Sequence, residues 1–357
     1  MGPKVWVHAP SVGEFNTVRP LLELLSPEVE WFLSFSSPRA EGFLRSKLSD
    51  RRVYKLFPPV GLKVSKLLKE EKPEVLLLVE GDRYPALLGA PVEAKFFVNA
   101  RLSDRSYGFL RFFRGVFVPK LNTFRKILCK DEETCERFES LGVRSEVLVP
   151  CGNLKAVLKP PEGELNLSFP EGTKVWVAGS THPPEEREIL TAFKEVLKRF
   201  PNAVLVLAPR HPTRAGEVFK LTLSFFPEGE AALRSSVSGT FKGKVLVVDT
   251  FGELLNFYRA ADAAFVGGSL VKVGGHNLLE PAYFGKPVLY GPFVDKFRDL
   301  EGILRKLGLA FPVKDWRELA LRVVQVFKNP PRAKGSLRDL SREVLNCYRR
   351  ELPFLAT

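Results

Sequence analysis

Several polar or glycine-rich segments directly follow predicted strands, and their side chains could perform acid–base chemistry or bind an anion. The first segment is HAPSVGE at residues 8–14, between a predicted strand and a predicted helix. Ser11 and Glu14 fit the S-x-x-E pattern of a capping box, in which both side chains simply close the helix N-terminus. Glu14 could instead be a general base, because a carboxylate near a reacting hydroxyl can accept its proton. The pattern leaves both interpretations open.

A second acidic turn follows the most apolar predicted strand, residues 75–79. Glu80 could bind a second substrate or stabilise charge there, and a surface turn is the alternative. Arg101 follows another predicted strand and could contact an anion. Lys155 lies at the junction between the two halves of the chain. It could reach a charged group, or it could be one more solvated lysine.

A glycine-rich segment in the second half, residues 267–287, follows a strand and is predicted to open a helix at Asn277. Glycine permits positive φ and close approach of the backbone to a ligand. A helix N-terminus suits a phosphate, and Glu280 could accept hydrogen bonds from ribose hydroxyls. The alternative is a tight turn with Asn277 as N-cap. The Glu-x4-Gly-x-Pro spacing from Glu280 is typical of nucleotide-sugar transferases with two domains.

Two other turns after strands could complete an anion or nucleotide site. Arg210 follows Pro209 and could pair with a phosphate, or it could be a surface residue of a proline-rich loop. Phe251 and the backbone of Gly252 could contact a nucleobase; the alternative is helix capping with one core aromatic.

These segments can form one site only if the strands before them end at the same edge of a sheet. The alternation of predicted strands and helices indicates such a sheet. Strands are predicted at residues 5–8, 30–34, 54–56, 75–79, 95–99, 126–128, 175–179, 203–208, 245–248, 263–267 and 287–290. Helices are predicted at residues 13–25, 38–48, 61–72, 184–200, 252–261, 277–284, 297–307, 315–328 and 337–350. Repeated βα units predict doubly wound parallel sheets, with ligands at the carboxyl ends of the strands.

Two such domains are predicted, an N-terminal domain at 1–155 and a C-terminal domain at 174–335. A proline- and glycine-rich linker at 156–173 would join them. A final helix at 336–357 could pack back on the first domain. We expect the two domains to face a shared cleft, with Glu14 opposite the helix start near Asn277.

Composition excludes several classes of protein. The 357 residues include 45% hydrophobic and 27% charged residues, values typical of a globular chain. We expect no transmembrane helix, because no apolar run approaches the roughly 20 residues that span a bilayer, and no signal peptide, because strand-like residues begin at Lys4. The four cysteines lack CxxC spacing, which argues against zinc fingers and a disulfide framework and fits a reducing cytosol. The four histidines share no metal-ligand spacing, so no metal is expected.

The net charge of +13 favours an anionic partner. Residues 39–69 carry nine Lys or Arg against two acidic residues, and residues 95–130 carry nine against one. Residues 107–117 interleave Phe and Leu with Arg, a pattern that suits a membrane interface. A core helix with solvated charges and a nucleic-acid surface are the alternatives; because no nucleic-acid-binding motif is present, no nucleic-acid partner is expected.

These segments together resemble the 3-deoxy-D-manno-octulosonic acid (Kdo) transferases of lipopolysaccharide synthesis. The resemblance rests on HAPSVGE (8–14), VEGDRYP (79–85), NARLSDRS (99–106), GNLK (152–155), AGSTH (178–182), LAPRHPTR (207–214), DTFGELLNFY (249–258) and FVGGSLVKVGGHNLLEPA (265–282). It implies a GT-B glycosyltransferase that takes Kdo from CMP-Kdo, inverts the anomeric carbon and needs no metal or other cofactor. The implied acceptor is a lipid A precursor at the cytoplasmic face of the bacterial inner membrane.

The resemblance implies that the N-terminal domain binds the acceptor and that the C-terminal domain binds the CMP-sugar. It also assigns roles to individual positions. Glu14 matches the catalytic base, and Glu80 and Lys155 match positions that stabilise the transition state. The matches to CMP-binding segments are Pro209, Arg210, Phe251, Gly252, Glu253, Gly274, Gly275, Asn277, Leu278, Leu279 and Glu280.

The chain departs from the family pattern in two places. It begins at the first strand where members usually begin with a hydrophobic anchor, so the protein either lacks an anchor that was removed or docks through its basic, Phe-rich face alone. It also has Val79-Glu80 and Tyr84-Pro85 where many members carry Thr-Glu and Trp-Pro. Two other functions remain open: another GT-B enzyme, such as a UDP-sugar transferase or epimerase, and a non-catalytic basic lipid- or nucleic-acid-binding module.

Overall fold

The computed structural model describes residues 2–81, 84–158, 163–295 and 297–356. The chain divides into two compact units. The first unit combines Met1–Val157 with Leu340–Thr357, and the second unit is Leu158–Asp339. Asp82 and Arg83 of the VEGDRYP segment and the prolines at positions 160 and 161 of the expected linker lie outside the described residues.

The first unit contains a parallel sheet of seven strands in the order β3-β2-β1-β4-β5-β6-β7. The strands are β1 (Lys4–His8), β2 (Glu30–Phe35), β3 (Val53–Lys55), β4 (Val75–Val79), β5 (Ala94–Ala100), β6 (Lys126–Cys129) and β7 (Leu148–Pro150). The helices are α1 (Val12–Leu22), α2 (Glu41–Lys47), α3 (Gly61–Glu71), α4 (Pro85–Leu88), α5 (Asp104–Phe112), α6 (Arg114–Leu121) and α7 (Glu132–Ser140).

Helices cover the first sheet, and its central strand, β4, is apolar throughout. All five residues of β4 are buried, as expected for a parallel strand between two helical layers. β1 and β4 lie side by side and run parallel. Their carboxyl ends therefore deliver the segments that begin at His8 and Glu80 to the same edge.

The second unit repeats this plan, with seven parallel strands in the order β11-β13-β10-β9-β14-β15-β16 and a separate pair of β8 and β12. The strands are β8 (Leu167–Ser168), β9 (Val175–Thr181), β10 (Val204–Pro209), β11 (Ala231–Leu233), β12 (Gly239–Thr240), β13 (Val245–Val247), β14 (Ala263–Val266), β15 (Val288–Tyr290) and β16 (Ala310–Pro312). The helices are α8 (Glu185–Leu197), α9 (Ala215–Leu223), α10 (Leu254–Ala260), α11 (Leu279–Ala282), α12 (Arg298–Leu307) and α13 (Trp316–Lys328).

The last helix, α14 (Leu337–Glu351), contributes most of its length to the first unit. Val344, Tyr348 and Leu352 are buried in the same apolar core as β1 and β4. The segment expected to be a linker is in part structured, since β8 pairs with β12 inside the second unit.

The prediction of two Rossmann-like α/β domains with parallel sheets is confirmed. The expectation of a helix over residues 277–284 was wrong in its extent. α11 covers only Leu279–Ala282, because the Asn277 side chain accepts from the N–H of Leu279 and delays the helix start. At the other end, Gly285 takes a φ of +69° and closes the turn.

The cysteines correct a second expectation. The structure pairs Cys129 with Cys135 and Cys151 with Cys347, in two disulfides. The partners in the second disulfide are 196 positions apart in sequence, yet their Cα atoms are 5.4 Å apart. Sequence spacing could not reveal this pair, because the packing of α14 creates it.

Among the described residues, no helix is both long enough and apolar enough to cross a bilayer.

Candidate functional site

Glu80 has several polar and charged partners at the carboxyl edge of the first sheet. It is 4% exposed, and its backbone has a φ of +60°, a region that a non-glycine residue rarely adopts. Thr17 donates to its Oε1 atom at 3.0 Å. Two cations approach its carboxylate at 3.5 Å, Arg101 at Oε2 and Lys155 at Oε1. The alternative of an ordinary surface turn is therefore wrong for Glu80.

Asn99 links Glu80 to the segment that carries Lys155. Its Nδ2 donates to Glu80 at 3.4 Å, and its Oδ1 accepts from the N–H of Leu154 at 2.9 Å. Asn99 also has a positive φ, +48°. Two neighbouring strands thus end in residues with left-handed backbones, and such conformations cluster at functional sites.

Glu14 lies in the first turn of α1, where Ser11 is the N-cap and accepts from the N–H of Gly13 at 3.1 Å. The capping role predicted for Ser11 is confirmed. The Glu14 side chain is half-buried, and its carboxylate accepts a hydrogen bond from the Ser11 hydroxyl.

Glu14 and Glu80 line one cavity of about 220 Å³, together with Arg101 and Arg105. A second cavity of about 750 Å³ shares Arg105 and Gly81 with the first. Both hydroxyl-bearing and aromatic side chains line the second cavity. Its lining includes Ser11, Ser36, Ser37, Phe57, Tyr84 and Phe109. The first unit therefore offers two carboxylates, two guanidinium groups and an amphiphilic cavity at one edge.

The carboxyl edge of the second sheet holds the glycine-rich segment. Gly274 and Gly275 have φ values of +96° and +76°, and the N–H of Gly275 donates to the carbonyl of Gly268 at 2.8 Å. Leu278 and Leu279 are fully buried. This backbone is a tight loop before a helix of four residues, so the helix dipole expected at Asn277 is small.

Glu280 lies in the first turn of α11 and is half-buried. Burial raises the pKa of its carboxyl to about 7, and the charge of Arg210 opposes this shift. Arg210 itself is exposed just after β10, and its N–H donates to the carbonyl of Thr181 at 3.0 Å. Pro209 ends β10 at an irregularity in the pairing with β9.

Phe251 is 80% exposed, so the alternative that it is a core aromatic is wrong. Gly252 follows with a φ of +81°. Glu253 accepts from Arg234 at 2.8 Å and from the Thr250 hydroxyl. The turn therefore exposes the Phe251 ring to solvent, while the contacts of Glu253 hold the turn in place.

Sequence reasoning missed Glu185, whose carboxylate binds the backbone of the glycine-rich segment. Glu185 is fully buried, and its Oε1 accepts from the backbone N–H groups of His182 at 2.8 Å and Gly268 at 2.6 Å. Burial raises its pKa to about 7. A Cβ at Gly267 would lie 2.7 Å from this carboxylate, so the glycine is required there. An acidic residue in the first turn of a helix gave no distinctive signal.

Sequence reasoning also missed a histidine cluster in the second unit. The rings of His182 and His276 stack with their Nε2 atoms 2.8 Å apart, and His211 meets His182 edge to face at 6.2 Å. Burial lowers the pKa of His182. Within the described ranges, no group of three or more His, Cys, Asp or Glu side chains is arranged to hold a metal ion.

The basic, Phe-rich segment of the first unit forms α5 and α6, and it exposes several rings. Phe112 is 82% exposed, and its ring packs against that of Phe113 at 4.8 Å. The exposed apolar side chains are Phe109, Phe112, Phe113 and Val116. The exposed cations beside them are Arg105, Arg111 and Arg114. The alternative that this segment is a buried core helix is wrong for these side chains.

Comparison with known proteins relates both units to one family. The family model described as 3-deoxy-D-manno-octulosonic-acid transferase (kdotransferase) matches residues 1–158. The 3-deoxy-D-manno-octulosonic acid transferase of Aquifex aeolicus is 34% identical over 98% of this chain and 92% of its own length. The protein of that name from Haemophilus influenzae is 28% identical over 96% of this chain and 83% of its own length.

Solved structures extend the likeness to fold. The UDP-GlcNAc 2-epimerase of Methanocaldococcus jannaschii matches 96% of this chain and 99% of its own, with a TM-score of 0.56 and 13% identity. A UDP-GlcNAc 2-epimerase from Neisseria meningitidis matches 96% of this chain and 94% of its own, with a TM-score of 0.57 and 12% identity. At such identities the likeness concerns the fold alone.

Proposed function

We propose that this chain transfers Kdo from CMP-Kdo to a lipid A precursor, with inversion at the anomeric carbon. The proposal starts from the finding that the chain belongs to the 3-deoxy-D-manno-octulosonic acid (Kdo) transferase family and is a Kdo glycosyltransferase. The observation that carries the proposal is the cavity in which Glu14 and Glu80 stand beside Arg101 and Arg105. A carboxylate base and guanidinium groups at one edge suit a phosphorylated acceptor that attacks through a hydroxyl.

Glu14 is the proposed general base. The acceptor hydroxyl forms a new C–O bond to the anomeric carbon of Kdo while the bond from that carbon to the phosphate oxygen of CMP breaks. The hydroxyl proton passes to the Glu14 carboxylate, and CMP leaves with the bonding electrons. The Ser11 hydroxyl, which donates to Glu14, orients the carboxylate.

Glu80 and Lys155 have a supporting role in this proposal. Their ion pair at 3.5 Å is positioned by Thr17 and Asn99. Glu80 keeps the ammonium group of Lys155 oriented, and Lys155 stabilises negative charge that develops as CMP departs.

The second unit is the proposed donor domain. Arg210 would pair with the CMP phosphate, Glu280 would accept from the ribose hydroxyls, and the exposed Phe251 with Gly252 would contact the base. The backbone of Gly274 through Leu279 would line the pocket, and Glu253 would brace the turn. We propose that no metal is needed, because CMP leaves as a stabilised phosphate monoester anion. The expectation that donor and acceptor edges share one cleft stays a prediction.

The protein would act at the cytoplasmic face of the bacterial inner membrane. Support comes from the exposed rings of α5 and α6 and the adjacent arginines, since rings insert into the interface and guanidinium groups meet lipid phosphates. Their segment also supplies Arg105 and Phe109 to the amphiphilic cavity. An acceptor could thus be drawn from the bilayer without leaving it fully.

Mass spectrometry of a lipid A precursor incubated with enzyme and CMP-Kdo tests the proposal. We expect product masses increased by one or more Kdo units, with EDTA causing no loss. Glu14→Ala should lower kcat by about 10²- to 10⁴-fold, the usual range for a general base, while calorimetry shows unchanged CMP affinity. Glu23→Ala, at the far end of the same helix, is the control. Preference for UDP over CMP in the calorimetry would contradict the donor assignment, and full activity of Glu14→Ala would remove Glu14 from the mechanism.

A further inference from the structure

One face of the C-terminal helix α14 packs on residues 151–156, the segment that contains Lys155. The Ser341 hydroxyl donates to the carbonyl of Ala156. Val344 lies against Gly152, where an added Cβ would be 2.7 Å from the valine Cγ2. Cys347 is joined to Cys151. These contacts recur every three or four residues along the helix and therefore lie on one face.

Tyr348 extends this face to the end of β5. Its side chain is fully buried. Its hydroxyl accepts from the N–H of Asn99 at 3.0 Å and donates to the carbonyl of Gly152 at 3.4 Å. Burial raises the pKa of Tyr348 well above its usual value, so the hydroxyl keeps its proton under all ordinary conditions.

Asn99, which Tyr348 contacts, connects Glu80 to the segment that carries Lys155. Asn99 has a left-handed backbone, which costs free energy and persists only where the surrounding structure holds it. Its Nδ2 atom donates to Glu80, and its Oδ1 atom accepts from Leu154, the neighbour of Lys155. A shift of the Asn99 backbone would therefore move Glu80 and Lys155 relative to each other.

We infer that Tyr348 is a positioning residue, which fixes the strained Asn99 backbone and thereby holds Glu80 and Lys155 at their working separation. The inference rests on the proposed function, because it concerns the groups that would stabilise the transition state. It assigns the C-terminal helix a role in turnover beyond covering the core. Tyr348 does not itself touch either substrate in this scheme.

Tyr348→Phe isolates this role, since it removes one oxygen and leaves the packing intact. We expect kcat to fall about threefold to tenfold, in line with the loss of the buried hydrogen bond from the N–H of Asn99, with KM for CMP-Kdo unchanged. Tyr54→Phe is the matched control: Tyr54 also donates a hydrogen bond in the first unit, to Glu71. Tyr54→Phe should lower the melting temperature without altering kcat. A fall in melting temperature with unchanged kcat in Tyr348→Phe would overturn the inference.

A double-mutant cycle adds a readout that a purely structural tyrosine would not change. Tyr348→Phe combined with Asn99→Ala should lower kcat no further than Asn99→Ala alone, because Tyr348 acts through Asn99. Additive losses would contradict that route.

A disulfide comparison keeps the inference testable if Tyr348→Phe does not fold. Replacing Cys151 and Cys347 with serine removes the covalent link that holds the helix beside Tyr348, and should lower kcat severalfold. Replacing Cys129 and Cys135 with serine removes the other disulfide of the same unit and should leave kcat unchanged. Equal kcat in both double variants would overturn the inference. Failure of the wild-type enzyme to transfer Kdo from CMP-Kdo would overturn the proposed function instead, whereas the variants are compared with an active wild type.

Discussion

The carboxylates at the two sheet edges are held in opposite ways. Glu80 in the first unit is surrounded by donors and cations, with Thr17, Arg101 and Lys155 at its two oxygens. In the second unit, burial raises the pKa values of Glu280 and Glu185 to about 7, and Glu185 accepts from the backbone N–H groups of His182 and Gly268. The first edge is thus built around fixed charges, an arrangement that suits the stabilisation of transient charge. The second edge uses backbone shape, which suits the recognition of a ligand.

The largest effect that separates the two edges should come from neutralising Glu80. Glu80→Gln keeps an oxygen for Thr17 but removes the charge that holds Lys155. We expect kcat to fall on the order of 10- to 100-fold, the effect of a misplaced group near the chemistry, with CMP affinity unchanged in calorimetry. Lys155→Met should produce a similar loss, and the two losses should not add. Full independence of the two variants would show that the ion pair has no joint role.

A smaller effect, on stability, should come from neutralising Glu280. The folded protein keeps a proton on Glu280 up to a pH of about 7, whereas the unfolded chain loses it at a pH of about 4.3. Stability therefore falls as pH rises through this window, and the cost is complete above pH 7. Glu280→Gln should raise the free energy of unfolding at pH 8 by about 2 kcal/mol, from a shift near 1.4 kcal/mol per pKa unit with a discount for partial exposure. It should change little at pH 4.

Glu301 in the same unit provides a control of opposite sign. Burial raises its pKa, but hydrogen bonds from Arg305 and Tyr290 outweigh burial and lower it. Its stabilising contribution is present at neutral pH and is lost as pH falls. Glu301→Gln should therefore destabilise the protein at pH 8. Thermal melts of both variants at pH 4 and pH 8 measure these effects, and a gain in stability for both variants at pH 8 would contradict the opposite pKa shifts of Glu280 and Glu301.

The sequence predicted the parts of each site that local pattern determines. Five apolar residues in a row located β4 and thus Glu80 at a strand end, and the S-x-x-E pattern located the start of α1. The groups that organise the sites escaped prediction, because their partners are distant in the chain. Tyr348 and Asn99 are 249 positions apart, and His182 and His276 are 94 apart. Tertiary packing brings these pairs together, and neither spacing nor composition encodes it.

The smallest expected effect is on membrane binding, and it compares an exposed apolar side chain of each unit. Phe112 in the first unit is 82% exposed among arginines, and Leu321 in the second is 55% exposed on α13. Phe112→Ser should weaken binding to phosphatidylglycerol vesicles about tenfold, because burying one such ring contributes about 1.5 kcal/mol or more. Leu321→Ser should leave it unchanged. Sedimentation with vesicles at low and high salt measures both, and the arginine contribution should decrease as salt rises. Equal losses in both variants would mean that the Phe-rich face has no special affinity for lipid, and that the amphiphilic cavity receives its acceptor by another route.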